Sequence, residues 1–205
     1  MRYCMRKEHW MRKEQGFTLV EIAIVLVIIG ILLGGVLKGR ELIQNAKISS
    51  LAKSVEEIRA AYNGYRDRYH AIPGDDKKAD KHISTLSSRD VGNGNGRIQG
   101  AWYKEVPTQE ASLIWKHLRE AGFLSGAGTE NPTHGFDNVI GVQWANLGTG
   151  LGNGNVVCLG YLPGDVARLV DLRMDDGVAT SGTVRAWGAK KDYVDTGTYH
   201  VCTKL

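Results

Sequence analysis

The chain has 205 residues, 26 Lys+Arg against 22 Asp+Glu for a formal net charge of +4, and 42% hydrophobic side chains. That composition suits one domain with a sizeable core and excludes a disordered or disulfide-dense chain. The 26 Gly residues follow no Gly-X-Y period, which excludes collagen and points to many turns.

The charge is local. Residues 1–16 carry five basic and two acidic side chains, whereas residues 17–205 carry 21 and 20. The body of the protein is therefore close to neutral, with scattered cations and no basic face of the kind nucleic acid requires; no nucleic acid is expected as a partner. Three Cys, an odd number, leave at least one outside any intramolecular disulfide.

After the basic stretch, residues 17–37 read FTLVEIAIVLVIIGILLGGVL, an apolar run of 21 with one charge, Glu21. At about 1.5 Å per residue such a helix spans a hydrocarbon core of ~30 Å. Five Lys/Arg before it and two shortly after it predict a cytoplasmic N-terminus and export of everything that follows. A cleavable secretory signal is the alternative, but its apolar region is shorter, about 7–15 residues, and ends in small residues, whereas this one exits through Lys38-Gly39-Arg40. Glu21 is the anomaly, because a carboxylate within an apolar span costs roughly 2.5–3.5 kcal/mol at the helix centre and calls for a partner.

The segment Lys13-Glu14-Gln15-Gly16-Phe17-Thr18-Leu19-Val20-Glu21 resembles the N-terminus of type IV prepilins and of type II secretion pseudopilins. The resemblance implies cleavage between Gly16 and Phe17 by a prepilin peptidase, N-methylation of Phe17, and pairing of Glu21 with the Phe17 ammonium of an adjacent subunit, so that two buried charges are neutralised when subunits stack. It implies other pilin subunits, an inner-membrane assembly platform and the lipid bilayer as partners. The repeated Met-Arg-Lys-Glu at residues 5–8 and 11–14 makes Met11 a candidate start, which would leave a six-residue leader.

No Pro precedes Pro73, and Leu51, Val55, Ile58, Tyr62, Tyr65 and Tyr69 recur at spacings of 3 and 4. This predicts that the membrane helix continues to about Tyr69 and lays one stripe against a sheet, with the phenols reaching polar partners. The expected organisation is a leader at 1–16, a transmembrane helix at 17–37, its extension at 38–72 and a globular head at 73–205. In the head, β-rich runs at 139–144, 155–161 and 183–187 predict an antiparallel sheet. One helix is expected across 108–122, framed by Thr108 and Ala111, with Leu113, Ile114, Leu118 and Ala121 on one face and Gly122 as stop. The fold class is α+β, pilin-like: a long N-terminal helix packed on an antiparallel sheet. Tyr69–Asp75, Leu113–Gly122, Asp175–Gly177 and Gly182–Arg185 also resemble segments of one group of prepilin-like proteins, without a role attached to them.

Cys158 and Cys202 both fall in the exported part, where disulfides form, and are expected to pair; Cys4 belongs to the leader. Asp90, Asn93 and Asn95 resemble a fragment of a calcium loop, but the register places Val91 at its first position and Trp102 at its twelfth, so a Gly/Asn turn is the expected reading and no cofactor is assigned. Asp75, Asp76, Asp171, Asp175 and Asp176 are further carboxylates that only folding could bring together. Gly148–Gly154 lacks the Gly-Lys-Ser/Thr ending of a phosphate loop, and no His ligand spacing or Gly-x-Ser-x-Gly elbow occurs, so no enzyme is expected.

These readings converge on a structural filament subunit, a pilin or minor pilin. The alternatives are a type II secretion pseudopilin and, from another class, a membrane-tethered adhesin-like or calcium-dependent binding module. Trp102, Tyr103 and Trp144 exposed together would favour the last. The expected location is the inner membrane as a single pass with a periplasmic head, then a filament at the cell surface.

Overall fold

The computed structural model describes residues 16–148 and 151–205. The expectations for leader residues 1–15, including Cys4 and a start at Met11, lie outside the described residues. The chain divides into two compact units, Met1–Ile43 and Gln44–Leu205.

Helix α1 runs Leu19–Tyr69 and contributes to both units. In the first unit its apolar side chains are exposed, among them Val25, Leu26, Ile31 and Leu37. It is long and apolar enough to cross a membrane. In the second unit Ile48, Leu51, Val55, Ile58, Ala61, Tyr62 and Tyr65 form the buried stripe that the spacing predicts. Two phenols find polar partners: Tyr62 accepts from Asn155 Nδ2 at 3.3 Å and Tyr65 donates to Asp76 Oδ2 at 2.9 Å. Tyr69 is only half-buried and stacks on the His82 ring, centroids 5.2 Å apart. The helix ends where His70 turns to φ 51°, three residues before Pro73.

Five strands follow: β1 Thr133–His134, β2 Asn138–Asn146, β3 Asn153–Pro163, β4 Val184–Ala186 and β5 Thr198–Lys204. They form one antiparallel sheet in the order β1-β2-β3-β5-β4. The pleat sends Ile140, Val142, Val157, Leu159 and Val201 into the core that contains the α1 stripe. Val156, Cys158 and Cys202 point to the other face, where Trp102, Ala145 and Leu147 cover them. This is the α+β, pilin-like arrangement of a long helix on an antiparallel sheet.

Three short helices complete the unit: α2 Ala79–His82, α3 Glu110–Glu120 and α4 Gly164–Met174. Helix α3 is the one expected, but Gln109 rather than Thr108 is its N-cap and no side chain caps it. Its buried apolar face is broader than expected, with Ala111 and Trp115 joining Leu113, Ile114 and Leu118, while Ala121 is half-buried. Helix α4 corrects the expectation of a single helix in the head. It starts after Pro163 without a side-chain cap, and its buried face includes Val166, Ala167, Val170 and the polar Asp171, so the apolar period is short and interrupted. Strand β5 was not anticipated either, and the run at 183–187 narrows to the three residues of β4.

Candidate functional site

The N-terminal candidates sit at the start of α1. Phe17 is 82% exposed, and no neighbour lies within 4 Å of where a Cβ on Gly16 would stand. The Thr18 amide and hydroxyl donate to Glu21 Oε2 at 2.8 and 2.9 Å, and the Glu21 amide donates back to Thr18 Oγ1 at 3.2 Å. This reciprocal arrangement is a capping box, with Thr18 closing the helix end and Glu21 three residues on. The carboxylate that the apolar span must accommodate therefore already has partners within its own chain.

In the second unit, the side-chain oxygens of the Gly/Asn loop accept hydrogen bonds from Lys116, Ser87 and the loop's own backbone. Asp90 Oδ1 accepts from Lys116 Nζ at 2.6 Å and its Oδ2 accepts from the Ser87 amide and hydroxyl. Burial works against this charge, but Lys116 and Ser87 outweigh it and hold the Asp90 carboxyl down at about 2. Asn93 Oδ1 accepts from the Asn95 amide, and Asn95 Oδ1 from the Arg97 amide. The three calcium-loop candidates are thus each engaged in separate local turns.

The loop backbone instead wraps a buried carboxylate. Gly94 and Asn95 donate to Asp75 Oδ1 at 2.7 and 3.2 Å, and Gly96 donates to Asp75 Oδ2 at 2.6 Å. Gly94 and Gly96 have φ of 74° and 87°, conformations that let successive N–H groups turn inward. Glu110, at the start of α3, takes the flanking donors: Asn93 at 3.0 Å to Oε1 and Gln99 at 2.8 Å to Oε2. Burial raises the Glu110 pKa, and the adjacent Asp75 raises it further.

Asp76, next in sequence, is also buried. Its Oδ2 accepts from the Tyr65 hydroxyl and lies 2.6 Å from His82 Nδ1, while its Oδ1 accepts from the Lys78 amide. His117 is fully buried; the Gly74 amide donates to its Nδ1 at 2.9 Å and its Nε2 meets the Asp90 carbonyl at 2.6 Å. That pairing fixes a neutral ring with its proton on Nε2, and burial lowers its pKa. Asp75 and Asp76 therefore belong to one polar cluster with Glu110 and His117, and the segments 69–75 and 113–122 quoted for their likeness to prepilin-like proteins meet there. The sequence singled out those segments; it left Glu110 unremarked because nothing local marks it as a partner of residues 35 positions away.

A second cluster joins Asp171, Asp175 and Asp176, whose carboxylate oxygens lie within 4.8 Å of one another. Asp171 accepts from the Tyr193 hydroxyl at 2.7 Å and the Gly177 amide at 3.1 Å; burial pushes its carboxyl up to about 6. Asp175 Oδ2 accepts from the amides of Thr183 and Val184, which joins segments 175–177 and 182–185 in the same way.

Cys158 and Cys202 form a disulfide across directly opposed positions of β3 and β5, with Cα atoms 4.1 Å apart. The aromatic groups do not form a shared exposed surface: Trp102 is buried, Tyr103 is half-exposed and Trp144 is half-buried beneath Arg97, 5.0 Å from its ring centroid.

No curated protein and no solved structure matches the chain. One family model matches, the prokaryotic N-terminal methylation motif, over residues 11–37, and its match encloses Gly16, Phe17, Thr18 and Glu21. The chain therefore carries at its N-terminus the signature of type IV prepilins and pseudopilins, ahead of a pilin-like α+β fold.

Proposed function

We propose that this chain is a structural subunit, a pilin or minor pilin, of a type IV pilus-like filament. A prepilin peptidase cleaves it between Gly16 and Phe17, the Phe17 amine is methylated, and the 17–37 helix serves first as a single-pass inner-membrane anchor and then as the packing element between subunits. The head, beginning after the helix, is exported to the periplasm, and an inner-membrane platform drives assembly. The chain itself performs no catalysis.

One observation carries this reading: the methylation motif falls on an apolar helix whose only charge in the span is Glu21, three residues after a Thr that caps it. A type II secretion pseudopilin uses the same motif, and the disulfide-closed head is what favours the pilus over it. An adhesin-like head gains no support from Trp102, Tyr103 and Trp144, since they are not exposed together.

The test is expression with and without a prepilin peptidase, with intact mass analysis of the product. The processed chain should begin at N-methylated Phe17, and the uncleaved chain should begin at Met11. Sheared surface filaments should contain the processed chain, and Glu21→Val should be processed and inserted yet missing from them. A chain that keeps residues 11–16 beside an active peptidase, or Glu21→Val filaments at normal yield, would reject the proposal. Abundance in the filaments separates a major from a minor subunit, and failure of a defined secretion substrate to leave the cell would assign the pseudopilin.

A further inference from the structure

The chain contains four Asn-Gly pairs, at 63–64, 93–94, 95–96 and 153–154. Asn followed by Gly is the pair most prone to cyclise, because no side chain hinders the Gly nitrogen from reaching the Asn side-chain carbonyl carbon. Two of the pairs are held by regular main-chain pairing: Asn63-Gly64 lies inside α1, and Asn153-Gly154 opens β3 opposite Asn146 and Ala145 of β2. The other two lie in the turn at residues 92–97, outside any helix or strand, and a side chain holds their attacking nitrogens. The Gly94 amide donates to Asp75 Oδ1 at 2.7 Å and the Gly96 amide to Asp75 Oδ2 at 2.6 Å. The electrophiles, by contrast, are set up for attack. Asn93 Oδ1 accepts from the Asn95 amide at 3.0 Å and Asn95 Oδ1 from the Arg97 amide at 2.9 Å, so each carbonyl is polarised and has a donor for the negative charge that attack would place on it. One group restrains both reactions. The buried Asp75 carboxylate engages each nitrogen's proton, and its charge disfavours the amide anion that attacks.

We propose that Asn93 and Asn95 form a guarded deamidation site and that Asp75 is the guard: while its carboxylate holds the Gly94 and Gly96 amides the two Asn persist, and where that contact opens they convert to Asp and isoaspartate. In the reaction the Gly nitrogen gives its proton to solvent and bonds to the Asn side-chain carbonyl carbon. The bond from that carbon to the side-chain nitrogen breaks, and ammonia leaves with a proton from water. Water then adds to either carbonyl of the cyclic imide and breaks one of its ring C–N bonds. The net change is side-chain amide plus water to carboxylate plus ammonium, with no oxidation or reduction.

Conversion runs one way. Each event places a new carboxylate in a turn already wrapped around Asp75 and anchored to Glu110 through the Asn93 and Gln99 amides, so like charges oppose reclosure. The isoaspartate product also lengthens the main chain by one carbon between donors spaced for Asp75. The effect reaches beyond the turn, because Ile98 is fully buried and its amide donates to Asn155 Oδ1 at 2.9 Å, while Asn155 Nδ2 ties the Gly96 carbonyl to the Tyr62 hydroxyl of α1. The modification therefore records any opening of this turn and makes it permanent.

The experiment uses the full chain in detergent micelles at neutral pH, sampled over time, with the urea-unfolded chain as reference. Trypsin frees residues 90–97 as one peptide between Arg89 and Arg97, fragment masses assign conversion to Asn93 or Asn95, and Asn63 and Asn153 report on helix and sheet in the same digest. In the folded wild type, Asn93 and Asn95 should convert at least about tenfold more slowly than in the unfolded chain. Asp75→Ala should bring both to within about threefold of the unfolded rate while Asn63 and Asn153 stay protected. Asp75→Asn separates the two sites: its one acceptor oxygen serves the Gly94 and Asn95 amides and its NH2 then faces the Gly96 amide, so Asn95 should convert while Asn93 persists. Equal rates in folded and unfolded wild type would overturn the proposal, as would unchanged rates in an Asp75→Ala chain that still protects Asn63 and Asn153. Slower conversion in Asp75→Ala would also overturn it, since Asp75 would then be a base that drives the reaction. If Asp75→Ala leaves Asn63 and Asn153 unprotected it has unfolded, and the wild-type ratio together with the order of conversion in Asp75→Asn decides.

Discussion

Thr18 gives both its amide and its hydroxyl proton to one oxygen of Glu21, at 2.8 and 2.9 Å. This gives Glu21 two separable roles, one as a helix cap that needs an acceptor oxygen and one as a charge that needs a cation. Glu21→Gln separates them, because an amide oxygen still accepts from Thr18 and Gln suits this position of a capping box. The expected outcome is normal processing and insertion with filament yield as low as for Glu21→Val. Filaments at wild-type yield from Glu21→Gln would show that capping, rather than charge, is what assembly uses.

Acid should unlock the His117 cluster. The ring is neutral in the fold and its pKa is lowered by burial, so its contribution is complete above the unfolded value of about 6.5 and is lost as pH falls toward the folded one. Glu110 and Asp171 are raised and act in the opposite sense, gaining as pH falls, so the wild-type curve alone is a sum. The difference between wild type and His117→Gln isolates the histidine. Gln can still accept from Gly74 and donate to the Asp90 carbonyl; its stability deficit in urea melts at pH 7.5 should shrink steadily toward pH 5. A deficit that stays constant over that range would mean the ring does not titrate with folding.

Asp171 lies fully buried beside Asp175 and Asp176, with its carboxyl pushed up to about 6. The sign is that of a raised acid: its stabilising protonated form is present below about 4 and lost as pH rises through about 6. Asp171→Asn keeps an acceptor for the Gly177 amide and can donate to the Tyr193 oxygen, while it removes the repulsion. It should raise stability at pH 7.5 by on the order of 1–2 kcal/mol and change little at pH 4, as read from denaturant midpoints. A loss at pH 7.5 would indicate that the cluster needs its third charge.

The long helix was legible because its period and its one boundary signal, Pro73, are both local: six apolar positions from Leu51 to Tyr69 at spacings of 3 and 4 face one core. The N-terminal methylation motif was legible for a similar reason, since Gly16, Phe17, Thr18 and Glu21 fall within one six-residue stretch. Strand β5 was missed because Tyr199, Val201 and Thr203 alternate with His200 and Cys202, and only pairing with β3 and β4 makes both faces buried. The Gly/Asn segment was legible as a turn, but what the turn surrounds was not. The Gly/Asn loop does surround a carboxylate, but it is Asp75, about twenty residues upstream, and the loop offers it N–H groups. Glu110 joins it from the start of α3.

The disulfide ties strand β5, which ends one residue before the C-terminus, to the centre of the sheet. Its two Cys are 44 residues apart in sequence, for which the chain-entropy treatment gives about 4 kcal/mol. Cys158→Ala with Cys202→Ala should lower stability by about 2–4 kcal/mol and, in amide exchange, expose β4 and β5 before β2 and β3. Both sulfurs are buried, so reductant alone should leave the folded protein oxidised until denaturant opens it. Equal loss of protection in all strands would show that the bridge stabilises the sheet as a whole.

Trp102 occupies a seat made by two glycines on neighbouring strands. A Cβ on Gly141 of β2 would stand 2.6 Å from the Trp102 ring carbon Cε3 and 2.7 Å from both its Cβ and its carbonyl oxygen, whereas one on Gly160 of β3 would stand 2.9 and 3.0 Å from the far carbons of the indole and 3.0 Å from the Val139 carbonyl. Trp102 cannot shift to make room, because its amide donates to Gln143 Oε1 at 3.2 Å and its carbonyl accepts from Asn131 Nδ2. Either Gly→Ala change should therefore cost about 1–3 kcal/mol by overpacking. Their response to a smaller ring should differ. Trp102→Phe removes the outer indole atoms that meet Gly160, while at Gly141 it changes the ring contact but leaves the Cβ and backbone contacts, so it should recover more of the Gly160→Ala penalty than of the Gly141→Ala penalty in a double-mutant cycle. Equal coupling at both glycines would place the ring elsewhere on this face of the sheet.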